Sequence, residues 1–195
     1  MRLAIGLWLV VMAGGFAWLL NEQNRAGAPA SPPAVWPEAS RIAHGKGRFT
    51  LLVFAHPKCG CTVATLRDLE RLLAHAPRDL DVDVVFALPA GAPPDWSRTS
   101  LTRTAREIEG VTVVLDPGQV EARRFGARTS GQALLYAGDG RLRFAGGLTP
   151  GRAHEGDNAG CDAILSQLTS PSRPAATTPV FGCALADRPG PGRTR

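Results

Sequence analysis

What is scarce in this 195-residue chain already narrows its function. No stretch interleaves basic residues with aromatics, and aromatics make up 6% of the chain. The net charge of +5, carried mostly by arginine, therefore reads as a cationic surface and not as a nucleic-acid footprint. Cysteine is limited to Cys59, Cys61, Cys161 and Cys183, and a chain of this length does not need a disulfide framework. What is present is a 44% hydrophobic composition, enough for the core of one ordinary domain with appendages.

The N-terminal region reads as an anchor followed by a spacer. Leu3 to Leu20 is an apolar run of 18 residues without a charge, long enough to span a bilayer. Arg2 and the terminal amine precede it, which favours a cytoplasmic N-terminus and export of the rest. Residues 1–21 are expected to be an uncleaved transmembrane anchor; the competing reading is a signal peptide cut near Ala28-Pro29-Ala30. Residues 22–47 carry Pro29, Pro32, Pro33 and Pro37 among alanines and glycines, the composition of a semi-extended spacer lifting a domain off the membrane. Trp36 within it either docks on the domain or is a stray linker aromatic.

The chain is organised around residues 48–62, RFTLLVFAHPKCGCT. Phe49 to Ala55 reads as a buried strand, which Pro57 ends because proline has no N–H for a ladder. Cys59, Gly60 and Cys61 follow, and a helical pattern begins at Cys61. The free N–H groups and positive end of a helix stabilise a thiolate, the form of cysteine that attacks disulfides and binds soft metals. Lys58 adds a neighbouring positive charge. Thiol chemistry or thiolate–metal chemistry is expected here.

The domain continues as strands alternating with helices. Val63, Leu66, Leu69, Leu72 and Leu73 recur at helical spacing over residues 61–76 and are expected to face the core. A second strand covers Val82 to Phe86, a helix Trp96 to Glu109, a third strand Val111 to Leu115, and a short helix ends at Phe125. A fourth strand, Gln132 to Tyr136, turns at Gly138-Asp139-Gly140 into a returning strand, Leu142 to Ala145. A glycine-rich loop leads to a last helix, Ala159 to Leu168, capped by Asp157 or Asn158. The order implies an α/β fold with a central mixed sheet, helices on both faces and a closing hairpin. From Pro171 onward the tail has no periodicity and reads as extended or disordered, apart from an apolar island at residues 179–185 that could dock.

The strand–cysteine–helix junction, the α-β-α insert before the hairpin, and the stretch VVLDPGQVEARRFGARTSGQALLYAGDGRL are similar to the thioredoxin-like superfamily. The resemblance covers about residues 46–169, within a domain placed at residues 48–170, and points to the membrane-anchored, exported redoxin branch. It implies a thioredoxin-like fold and an attacking thiol at Cys59. Two departures stand out. One residue separates the cysteines where the family has two, and Thr129-Ser130-Gly131 stands where the family places a cis-proline facing the sulfurs.

The function expected from this resemblance is thiol–disulfide oxidoreduction on exported client proteins, with no cofactor and no nucleic-acid partner. Cys59 would be the nucleophile, Cys61 its resolving partner and Lys58 an aid to the thiolate. Thr129, Ser130 and Gly131 would form the substrate-facing rim. The alternative is a copper(I) chaperone or assembly factor using His56, Cys59 and Cys61. A peroxidase using Cys59 alone, and a degenerate docking domain, also stand. Positions two apart on a helix point about 200° apart, so a Cys59–Cys61 bridge requires Gly60 to relax the first turn. His154, Glu155 and Asp157 border the site in this fold, as a proton-transfer group or as a polar loop and cap. Cys161 reads as a small buried hydrophobe; Cys183 could staple to Cys161 or reach Cys59 as a resolving thiol.

Overall fold

In a computed structural model of the chain, residues 2–170 and 173–185 are described. The first helix, α1 (Arg2–Gln23), holds a stretch from Ile5 to Glu22 that is long and apolar enough to cross a membrane. None of that stretch is buried, and Trp8 and Trp18 are exposed with the rest.

A mixed sheet is built outward from β1 (Thr50–Ala55), where all six residues are buried. A strand alternates its side chains, so Leu51, Val53 and Ala55 enter one core while Leu52 and Phe54 enter the other. On one side β1 pairs in parallel with β2 (Asp81–Leu88), and β2 with β3 (Val111–Pro117). On the other side it pairs antiparallel with β4 (Gln132–Tyr136), and β4 with β5 (Leu142–Gly147). A two-residue strand, β6 (Ala176–Thr177), adds in parallel to β5, giving the order β3-β2-β1-β4-β5-β6.

Three helices cover the first face: α2 (Cys61–His75), α3 (Ser100–Glu107) and α5 (Ala159–Thr169). Leu66, Leu69 and Leu72 of α2 and Ile164 of α5 are buried there with Leu51 and Val53. The second face is covered by the short α4 (Val120–Arg124). Asp116 starts that helix, since its carboxylate accepts from the amides of Glu121 and Ala122 at 3.0 and 2.9 Å. Asn158 caps α5 by accepting from the Cys161 amide at 2.9 Å.

Four expectations need correction. Val63 is 41% exposed: nine positions separate it from Leu72, which at about 100° per residue puts it on the opposite side of α2. The helix expected from Trp96 breaks into a 3-10 turn (Pro94–Ser97) and α3, because Thr99 and Thr102 form a capping box that starts a new helix. Residues 27–42 are not a spacer. They strap across the second face: the Gly27 amide donates to Val180, the Ser31 amide to Gly126 and the Trp36 amide to Gly140. Trp36 sits 4.9 Å from Phe125 and 5.2 Å from Tyr136 between ring centroids, and Ile42 is buried. The tail joins the domain earlier than expected, through β6, while the apolar island at residues 179–185 docks as expected, with Leu185 buried in the core that holds Phe54 and Phe125. Residues 171–172 and 186–195 of that tail lie outside the described residues.

Candidate functional site

The site is made where β1 hands the chain to α2. Past Ala55 the chain turns at His56-Pro57-Lys58, and the Cys59 amide closes the turn on the His56 carbonyl at 3.1 Å. Gly60 is the N-cap of α2 and has no side chain to occupy the orphan amides of the first turn. The Thr62 and Val63 amides turn back to the Cys59 and Gly60 carbonyls at 3.0 and 3.3 Å, and the Cys61 amide serves the Cys59 sulfur. Ser130 approaches from the loop before β4. Its hydroxyl accepts from the His56 amide at 2.9 Å, meets the Thr62 hydroxyl at 3.1 Å, and hydrogen-bonds the Cys59 sulfur.

The C-terminal segment closes this site. The Cys59 and Cys183 sulfurs are 2.7 Å apart, and neither cysteine is in a disulfide. Cys59 is 1% exposed, whereas Cys183 faces solvent. The segment is held by its backbone: the Ser130 amide donates to the Cys183 carbonyl at 2.8 Å, and the Leu185 amide to the Arg128 carbonyl at 2.9 Å. Thr129 and Ala184 form an antiparallel bridge between those two bonds. Arg152 adds a third hold through Nη1, which donates to the Gly182 carbonyl at 2.9 Å.

The three neighbouring thiols are driven in different directions. Burial pushes the Cys59 thiol up, but hydrogen bonds from the Cys183 side chain and amide, the Cys61 amide and Ser130 outweigh it, and its pKa lies below the ordinary thiol value. Burial pushes Cys61 up, and the charge on Cys59 adds to that. Cys183 is pushed up to about 12, first by burial and then by its hydrogen bond to Cys59 and the charges of Cys59 and Cys61. A single proton-poor sulfur flanked by two proton-rich ones can act as nucleophile with a neighbouring thiol in reserve.

The remaining expected residues fall as follows. The Lys58 ammonium lies over the Trp96 ring, 3.4 Å from its centroid, and Cys183, Cys61 and Ser130 are the groups that lower Cys59. His56 accepts at Nδ1 from the Lys58 amide at 3.2 Å. Among the described residues no three His, Cys, Asp or Glu side chains are arranged to hold a metal ion. Thr129 and Ser130 are buried under the tail; Thr129 donates to the Ala28 carbonyl at 3.1 Å. Gly131, at φ 94°, turns its amide away to the Phe54 carbonyl. His154 is exposed and turned to the Arg152 carbonyl, and Glu155 pairs with Arg67 at 2.8 Å. The loop meets the site instead through Arg152 and through the Ala153 amide, which serves the Cys61 sulfur. Arg152 was not legible as a site residue, because one arginine in a glycine-rich loop carries no pattern. The Cys161 sulfur lies against the carbonyls of Asp68 and Leu148, and burial pushes its thiol up; it is not the partner of Cys183.

Parallel β1, β2 and β3, antiparallel β4 and β5, and a cysteine at the β1–α2 junction are the arrangement of the thioredoxin-like fold, and the chain has that fold. It is similar to two solved structures without a stated activity. The first is an uncharacterized conserved protein from Geobacillus kaustophilus, 19% identical, with a TM-score of 0.60 over 85% of this chain and 93% of that one. The second is a hypothetical protein from Sinorhizobium meliloti 1021, 18% identical, with a TM-score of 0.59 over 85% of this chain and 96% of that one. An exposed lipoprotein thioredoxin from Streptococcus pneumoniae strain TIGR4 is 22% identical, with a TM-score of 0.45 over 64% and 86% of the two chains. No protein-family model and no curated protein sequence matches the chain.

Proposed function

We propose that the chain is a thiol–disulfide oxidoreductase acting on exported client proteins, anchored by α1 with its domain on the outer side of the membrane. Cys59 of Cys59-Gly60-Cys61 is the attacking thiol. Thr129 and Ser130 offer the edge along which a client strand lies. The observation that carries this reading is the state of Cys59: a thiol with a lowered pKa at the uncapped start of α2, touching a second thiol. Thiolate attack on a disulfide needs such a sulfur, and a structural buried cysteine does not have it. Orientation with the domain outside is supported by Arg2 ahead of the apolar helix.

The full chain in detergent micelles, given a dithiol reductant, should reduce insulin, and Cys59→Ser should abolish the reaction. Unchanged reduction by Cys59→Ser would remove the proposal. Retention of one copper(I) per chain, lost in His56→Ala, would instead favour metal delivery by the same cysteines.

A further inference from the structure

We propose that Cys183, and not Cys61, is the thiol that resolves Cys59, and that residues 181–185 lie in the client groove as a built-in stand-in for a client strand. This rests on the reading of Cys59 as the exchanging thiol and adds its partner and its route of access.

The placement is specific. Cys183 reaches Cys59 across 124 residues of sequence, on a segment fixed at both ends. Upstream, the Val180 carbonyl accepts from the Gly27 amide at 2.8 Å; downstream, Leu185 is 1% exposed and its carbonyl accepts from Gln119 Nε2 at 3.0 Å. Between them the segment is zipped to residues 128–130 by backbone bonds, which is how an extended chain of any sequence would be held there. Gly182 permits the approach: a Cβ at that position would sit 1.9 Å from the Ser130 carbonyl oxygen.

Cys61 is the weaker candidate. Gly60 has φ −59° and ψ −29°, so the turn between the cysteines is helical and not relaxed. The Cys61 thiol interacts with Cys59, but two positions on a regular turn diverge by about 200°, and a Cys59–Cys61 bond requires that turn to unwind. A Cys59–Cys183 bond requires the two sulfurs to close by less than about 1 Å from 2.7 Å.

The chemistry balances with a client disulfide as oxidant. The tail segment swings out and a client strand takes its place on residues 128–130. The Cys59 thiolate attacks one client sulfur, the client S–S bond breaks, and the other client sulfur leaves as a thiolate and takes a proton. The tethered client strand then lifts off residues 128–130 and the tail returns, so that Cys183 loses its proton to solvent and attacks Cys59; the Cys59–client bond breaks and the second client thiolate leaves and is protonated. One client disulfide has become two thiols, and two protein thiols have become one disulfide. Once Cys59 is bonded to client sulfur, its charge no longer holds the Cys183 proton on. Cys183 is the more exposed residue of the pair and Cys59 the better leaving group, so an external dithiol would restore the pair by attacking the Cys183 sulfur.

The test is a single turnover of the reduced full chain with excess oxidised glutathione, quenched with acid and read by peptide mass. Wild type and Cys61→Ser should both end with a Cys59–Cys183 linked peptide. Cys183→Ser should stop with glutathione on Cys59. A Cys59–Cys61 linkage in wild type, or a trap in Cys61→Ser with run-through in Cys183→Ser, would overturn the resolving role while leaving Cys59 as the nucleophile. Wild-type reactivity in Cys59→Ser would remove the parent reading with it. The wild-type linkage stands as a readout even if a serine variant misfolds.

Discussion

The Ser130 amide and the Cys183 carbonyl are joined by a 2.8 Å hydrogen bond, and the 2.7 Å contact between Cys183 and Cys59 lies beside it. The backbone edge at residues 128–130 and the Cys59 thiol are thus satisfied together by one segment of the same chain. On the proposed reading, access to Cys59 and docking of the tail are the same equilibrium.

Gly182→Ala should open that equilibrium. The added Cβ has no room, with the Ser130 carbonyl carbon at 3.0 Å as well as its oxygen at 1.9 Å. Overpacking of this kind costs about 1–3 kcal/mol, which exposes Cys59 roughly five- to 150-fold more often. Alkylation of Cys59 by N-ethylmaleimide in the reduced protein should accelerate by that factor. An unchanged rate would mean that the tail does not guard the thiol.

The pH dependence of the reduced site should show one early thiolate. Cys59 lies below the ordinary thiol range of about 8.5–9, whereas Cys61, Cys161 and Cys183 lie above it. The ultraviolet absorbance of thiolate should rise first in a one-sulfur step that Cys59→Ser removes. A first step that survives Cys59→Ser would assign the reactive sulfur elsewhere.

How much of this was legible follows from the kind of signal each part carries. The β1–α2 junction, β4 and the Gly138-Asp139-Gly140 hairpin announce themselves by local periodicity and turn residues, and they stand where the sequence puts them. The strap and the tail lack periodicity because they dock through backbone hydrogen bonds and isolated side chains such as Trp36, Ile42 and Leu185. Proline and glycine in those segments read as flexibility. At Gly182 and Gly27 they mark close approach instead, to Ser130 and Thr129. In the sequence Cys183 reads either as a staple to Cys161 or as a partner of Cys59, and only the pairing of residues 128–130 with the tail selects Cys59.

The strap contributes to stability. Trp36 packs on Phe125 and Tyr136, and the Tyr136 hydroxyl donates to the Pro33 carbonyl at 3.0 Å. Trp36→Ala should cost about 2 kcal/mol in urea denaturation, below the range for a fully buried tryptophan because Trp36 is half-buried. A loss within about 0.5 kcal/mol would return the strap to the status of a loose linker.

Asp83 should weaken the fold as pH rises. Burial, with the charge of Asp81 beside it, pushes its carboxyl up to about 6 from 3.8. The folded protein therefore binds more protons than the unfolded chain between those values, and stability falls as pH rises through that window. Asp83→Asn should stabilise the domain above pH 6 by about 1 kcal/mol, after discounting for solvent, and by nothing at pH 3. Equal effects at both pH values would contradict the assignment.

The central claim is that Cys59 exchanges disulfides with Cys183 as its partner. It is tested most directly by equilibrating the full chain in graded glutathione redox buffers, trapping free thiols by alkylation, and following each cysteine by peptide mass. Cys59 and Cys183 should oxidise together with one midpoint while Cys61 and Cys161 remain reduced. Oxidation of Cys59 in step with Cys61, or its persistence as a thiol at every poise, would contradict the account.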